Sequence, residues 1–248
     1  MLNIPRQFSL AHYGELIAEF AARGYSLAQF QVNSQAETGS PKLFLRHDVD
    51  VDLNAALTLA RFEKLQNIQA SYFFLLRGPF YNVLSEKGET IVNEIHECGH
   101  DVALHVDLSL YDGNLETAVM NEIDCLARLF PYINRNIFSV HKPATISIGQ
   151  QLSIWNLENV SSETLFGRAV EYVSDSTGTW RYVHPLESSA FQTRSDMQLL
   201  THPIWWACEG RTPREKVEAS ISHNQSTITD LLRRHLPKLF GADGNITG

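Results

Sequence analysis

Short apolar runs alternate along the chain with stretches in which apolar residues recur every three or four positions. Runs of four to eight read as buried strands, and the three-to-four spacing reads as amphipathic helix. After Ser9 the positions Leu16, Ile17, Phe20 and Ala21 predict a helix closed by Gly24. A polar loop follows at 33–42. Leu43-Phe44-Leu45 predicts a core strand that runs straight into Arg46-His47-Asp48-Val49-Asp50-Val51-Asp52. Asp52 caps a helix reaching about Gln66. Further strands are predicted at Ala70 to Leu76, Val102 to Val106 and Asn136 to His141, with helices over Thr90 to Cys98 and Leu115 to Phe130 between them. The pattern weakens from 144 to 170, where a short helix is predicted near Thr164 to Val170. Tyr172 to Ser176 and Met197 to Pro203 complete the strands. Thr212-Pro213-Arg214-Glu215 is a capping box with proline at the first helical position, opening a last helix towards Leu239 that could break midway.

Strands alternating with helices imply parallel pairing through right-handed crossovers. No repeat or long linker divides the chain. The expectation is one domain over 1–240 and a C-terminal tail at 241–248.

Composition narrows the functional classes. With 44% hydrophobic and 19% charged residues the chain has ample core for a globular domain. A net charge of −8 argues against a general nucleic-acid surface and leaves a small polar substrate open. No apolar run approaches membrane-spanning length, and the first residues lack a signal-peptide pattern. Cys98, Cys125 and Cys208 are odd in number and far apart, so neither a disulfide framework nor a paired-cysteine zinc motif is expected; Cys98 and Cys125 fall on helix patterns as small core residues. A cytoplasmic setting is expected.

Chemistry gathers where strands end. Asp48 and Asp50 lie two apart and share a strand face, whereas His47 points away as a supporting or core residue. His105-Val106-Asp107, His141-Lys142-Pro143, Asp175 and Thr201-His202-Pro203 end later strands. A parallel or closed sheet brings such ends together. A lone strand-end histidine is usually structural, and His100 is taken so; several at the same end are the signal. Carboxylate and imidazole ligands suit Zn²⁺ or a similar first-row divalent ion. An aspartate base and a histidine acid beside such an ion make a hydrolase arrangement. Of the adjacent Trp205 and Trp206, packing is the ordinary role, and one is free to stack on a sugar ring.

The series Arg46-His47-Asp48-Val49-Asp50, then Ala70-Ser71-Tyr72-Phe73-Phe74, then Gly99-His100-Asp101-Val102-Ala103-Leu104-His105 resembles the polysaccharide deacetylases with the NodB homology domain. The likeness spans roughly residues 43–206 and is nearest to deacetylase-like proteins of bacterial surface-polysaccharide biosynthesis. It implies an irregular (β/α) barrel, often seven-stranded, and metal-dependent removal of an N- or O-acetyl group from a sugar. By the resemblance Asp48 is the general base, Asp50 and His105 bind metal, and His202 protonates the leaving group. Lys142 stands where the family has an arginine that supports base and substrate, while Asp175 and Trp180 lie near the segment that orients the histidine and walls the pocket. The metal implied is zinc, with cobalt or nickel as alternatives, and the partner a small saccharide. Departures are Val49 between the aspartates, Lys142 for arginine, and Ser109 where the family's second histidine ligand would stand. Asp107 and His141 are the candidates for that missing ligand. Two other readings stay open: an amidohydrolase acting on a non-sugar C–N bond, and a catalytically silent sugar-binding protein on the same fold.

Overall fold

The strand Lys42–Val49, buried on both faces, lies inside the sheet because its apolar run leaves neither side for solvent. A computed structural model describes residues 8–30, 39–143, 152–154, 156–162, 164–166 and 168–240. The predicted loop at 33–42 lies mostly outside these, and the predicted tail at 241–248 wholly so.

In chain order the elements are α1 (Leu10–Ala22), β1 (Ser26–Ala28), β2 (Lys42–Val49), α2 (Leu53–Leu65), β3 (Ser71–Leu75), α3 (Glu86–Glu97), β4 (Asp101–Val106), α4 (Leu115–Leu129) and β5 (Ile137–Val140). Then come β6 (Glu158–Asn159), β7 (Thr164–Leu165), β8 (Arg168–Ala169), β9 (Glu171–Ser174), α5 (Ser189–Thr193), β10 (Met197–Thr201), α6 (Pro203–Ala207) and α7 (Pro213–His235). The main sheet runs β6-β5-β4-β3-β2-β10-β9, seven strands in one path, all parallel, with β1 also paired to β2.

The sheet is strongly curled. β2 and β5 are three inter-strand steps apart, roughly 14 Å in a flat sheet at about 4.8 Å per step. Even so, Ser139 Oγ on β5 lies 3.4 Å from Asp48 Oδ1 on β2. The inner floor of this half-barrel is Phe30, Phe44, Phe73, Ala103, Ile137, Val160 and Leu165. The outer faces, with Leu43, Leu45, Tyr72, Phe74, Leu104 and Leu199, pack against the helices in the larger core. Among the described residues no helix is long and apolar enough to cross a membrane.

Several expectations need correction. Thr164 to Val170 is not a helix but the antiparallel hairpin β7–β8, where Phe166 takes a left-handed φ of 51° and Leu165 joins the inner floor. α3 begins four residues earlier than predicted, capped by Ser85 onto the Gly88 amide. Its polar first turn hides that start, and Gly88 is needed because a Cβ there would come within 2.5 Å of the Asn82 and Val83 carbonyl oxygens. α7 is unbroken, with the capping box formed as predicted. β1 and the short α5 and α6 have no periodic signature long enough to read. Cys98 and Cys125 are half-buried rather than core residues, Cys98 because it caps the exposed end of α3.

Candidate active site

Inner-face side chains rise along β2 in the order Phe44, Arg46, Asp48, with Asp50 just past the strand. Residues two apart share a strand face, so the floor of the half-barrel is apolar and its C-terminal mouth is charged. The mouth opens into a cavity of about 350 Å³ lined by Asp48, Asp50, His105, His141 and His202, among others. A larger groove of about 580 Å³ between α2 and α3 gathers no comparable set of groups.

Arg46 grips Asp48 with a two-pronged fork: Nε donates to Oδ1 at 2.8 Å and Nη2 to Oδ2 at 2.7 Å. Two of the three remaining N–H donors go to the Val160 carbonyl at 3.1 Å and Ser161 Oγ at 3.0 Å, and the guanidinium lies over the Phe73 ring. Burial pushes the Asp48 carboxyl up, but Arg46 and His105 outweigh it and hold it below its usual range. The forked cation beside Asp48 is therefore Arg46. Its signal in the sequence was the two-residue spacing. Lys142, expected to stand for the arginine, is an exposed residue on the cavity rim with a left-handed φ of 47°. Replacing Arg46 with Lys is expected to cost about 1–3 kcal/mol, since a point charge leaves buried carboxylate and carbonyl oxygens unpaired. Thermal unfolding checks this, and an unchanged midpoint would show that the fork contributes nothing.

Asp50 Oδ1 is buried and accepts no hydrogen bond. His105 Nε2 lies 3.2 Å from it and His141 Nδ1 3.3 Å, and these two nitrogens are 3.3 Å from each other. A tetrahedral site with metal–nitrogen bonds of about 2.0–2.1 Å has edges of about 3.4 Å between ligand atoms. The triangle therefore fits three corners of such a site, and its donor set suits Zn²⁺ or another first-row divalent ion. Among the described residues these three are the group of carboxylate and imidazole atoms able to hold a metal. Burial disfavours the Asp50 charge, yet His105, His141 and His202 hold its carboxyl well below the ordinary range. The Tyr81 hydroxyl donates to the Val49 carbonyl at 2.5 Å and accepts from the Leu75 amide at 2.9 Å, which ties β2 to β3 just before Asp50.

The choice between Asp107 and His141 turns on local geometry. Asp107 Oδ1 accepts from the Ser109 amide at 3.0 Å and its hydroxyl at 2.6 Å, closing the turn after β4. His141 comes from the next strand and faces Asp50 and His105.

His202 follows β10 and meets the site from the other side, its Nε2 3.6 Å from Asp50 Oδ2. Its Nδ1 is 2.6 Å from Asp175 Oδ1, and its backbone amide also donates to that carboxylate. Trp206 Nε1 donates to Asp175 Oδ2 at 2.7 Å, so the fully buried carboxylate is satisfied on every side. Burial works against a charged His202, but the Asp175 charge and hydrogen bond outweigh it and, with Asp50 and Asp48, raise its pKa to about 9.

Asp175 thus stands behind His202 rather than on the cavity wall. Trp180 packs on Phe8, His184 and Trp206 away from the cavity, and the aromatic walls are Trp205 and Tyr172. His47 and His100 face outward into the core, both towards Glu63.

No family model matches the chain, and no curated protein matches it. Solved structures similar to it include the chitin deacetylase of the fungal pathogen Colletotrichum lindemuthianum, with 10% identity over 73% of this chain and 81% of that one and a TM-score of 0.42. A Streptococcus pyogenes deacetylase in complex with acetate is 12% identical over 84% of this chain and 85% of that one, with a TM-score of 0.42. A family 4 acetyl xylan esterase from Clostridium thermocellum, in complex with a cobalt ion, is 18% identical over 77% and 89%, with a TM-score of 0.34.

Proposed function

We propose that the chain is a metal-dependent hydrolase that removes an N- or O-linked acetyl group from a sugar, in the cytoplasm and in bacterial surface-polysaccharide biosynthesis. The observation that carries this reading is the triangle of Asp50 Oδ1, His105 Nε2 and His141 Nδ1, with edges of 3.2–3.3 Å, beside Asp48 and His202 in one cavity. The motif resemblance supports it, because Asp48, Asp50, His105 and His202 stand at the corresponding positions.

A divalent ion held by Asp50, His105 and His141, with zinc first and cobalt or nickel as alternatives, would polarise the acyl carbonyl and make water there more acidic. Asp48 stays ionised beside Arg46 and accepts a proton from the attacking water at a free lone pair of its carboxylate. His202, protonated at neutral pH, gives the Nε2 proton to the leaving nitrogen or oxygen while Asp175 holds its ring. Trp205 and Tyr172 offer flat faces to a sugar ring, and Ser162, Ser176 and Thr177 offer hydroxyls to its polar edge.

The purified protein is expected to carry about one equivalent of a divalent metal, lost in Asp50→Ala. Elemental analysis of both proteins measures it. No metal after reconstitution with Zn²⁺, Co²⁺ and Ni²⁺ would sink the mechanism and leave a sugar-binding protein on this fold. Acetate release from acetylated sugars, set against opening of cyclic amides, separates sugar deacetylation from other amide hydrolysis.

A further inference from the structure

We propose that Ser139 is a positioning residue that links the base to the metal-holding triangle, an inference that rests on the functional reading above. Ser139 pairs with His105 in the register of β4 and β5, so the two side chains are neighbours on the inner face. Its Oγ lies 2.6 Å from His105 Nδ1 and 3.4 Å from Asp48 Oδ1.

The proton count of these groups leaves one arrangement. For His105 to offer a lone pair at Nε2, its ring proton must sit on Nδ1, and Nδ1–H then donates to Ser139 Oγ. The single hydroxyl proton of Ser139 is thereby free to point at Asp48 Oδ1. Both oxygens of Asp48 accept N–H bonds from Arg46, so Oδ1 faces Ser139 as an acceptor, takes that proton in a hydrogen bond and fixes the orientation. The chain from Asp48 through Ser139 to His105 selects the tautomer of His105 that can hold a cation. Ser139 is fully buried, so water does not replace its hydroxyl.

The same hydroxyl therefore serves two parts of the site. It aims the His105 ring and it holds Oδ1 of Asp48, while Oδ2 lies 3.6 Å from His105 Nε2. Partners that orient a ligating imidazole commonly contribute tenfold to a hundredfold to metal affinity.

The test compares Ser139→Ala, Ser139→Thr and Ser139→Val for Zn²⁺ binding by calorimetric titration, with Co²⁺ absorption spectra and thermal unfolding on each. Thr and Val have nearly the same shape and differ in the hydroxyl. Zn²⁺ affinity is expected to fall about 10- to 100-fold in the Ala and Val variants, to stay within about threefold of wild type in the Thr variant, and the Co²⁺ bands to shift in Val but not Thr. Equal affinity in wild type and Val would overturn the proposal, as would a Thr variant as weak as Val, which would make the role one of filling space. If Ala does not fold, the Thr–Val pair still decides. Absence of Zn²⁺ binding by the wild type itself would instead remove the functional reading on which the proposal stands.

Discussion

Asp48→Asn is expected to bind a divalent ion as wild type does and to lose about 10²- to 10⁴-fold in hydrolysis, the usual contribution of a positioned base. The triangle of Asp50, His105 and His141 excludes Asp48, so the ion-holding atoms survive the change. An amide cannot take the proton from water. It also presents an N–H₂ to Arg46, which loses its counter-charge while only 2% exposed. Breaking such a buried pair costs about 3–5 kcal/mol. Activity must therefore be read well below the variant's melting temperature, with metal content measured on the same sample. Full activity with bound metal would remove Asp48 from the base role. Loss of metal together with activity would show that Asp48 acts on the ion site as well, directly or through Ser139.

Glu63→Ala is expected to be the most damaging change outside the cavity. Glu63 on α2 is fully buried and gathers donors from three elements, with His100 of the loop before β4 close by. Tyr72 Oη donates to Oε2 at 2.6 Å, Tyr13 donates to Oε1, His47 Nε2 lies 2.9 Å from Oε1, and His100 Nε2 3.7 Å from Oε2. His47 Nδ1 in turn lies 2.6 Å from Thr201 Oγ1, which joins β2 to β10 on the face opposite the cavity. Removing the carboxylate leaves the Tyr13, Tyr72 and His47 donors unpaired, while His100 keeps its bond to the Ala60 carbonyl at 3.1 Å; the cost is about 3–5 kcal/mol. For a domain of this size that corresponds to a melting temperature lower by roughly 6–20 °C. Calorimetry measures it, and a shift under about 2 °C would mean that water or a rearranged side chain compensates.

The pH dependence of this network has a definite sign. Burial raises the Glu63 pKa, but His47, His100 and Tyr13 outweigh it and bring it below its ordinary 4.5. A depressed carboxylate contributes stability that is fully present above the unfolded value and is lost as pH falls through the folded one. Wild type should therefore lose part of its stability below about pH 4.5 through Glu63, a loss that Glu63→Ala no longer shows.

Much of this is legible in the order of residues, because it rests on local chemistry. The strand at 43–45, the Asp52 cap, the capping box at Thr212 and the shared face of Asp48 and Asp50 follow from period, cap chemistry and alternation, which act within a few residues. The outward face of His47 follows from the same alternation. Glu63 did not show itself, since a charged residue on a helix reads as solvated unless its buried partners are known. Tyr13 and Tyr72 come from two other elements and His100 from the loop before β4.

The sequence by itself determined which strand ends carry the chemistry and which side chains share a face, because backbone geometry sets both. Tertiary structure alone decided the partnerships. β10, last of the sheet strands in the chain, lies directly beside β2, and that pairing carries His202 to Asp50. The curl of the sheet brings Ser139 against Asp48 and Val160 against Arg46, contacts that no spacing within one strand encodes. His141 rather than Asp107 faces Asp50 because the turn after β4 uses the Asp107 carboxylate to cap itself. Each of these outcomes depends on long-range strand order and sheet curvature, quantities set by the packing of the whole core and not by any window of the chain.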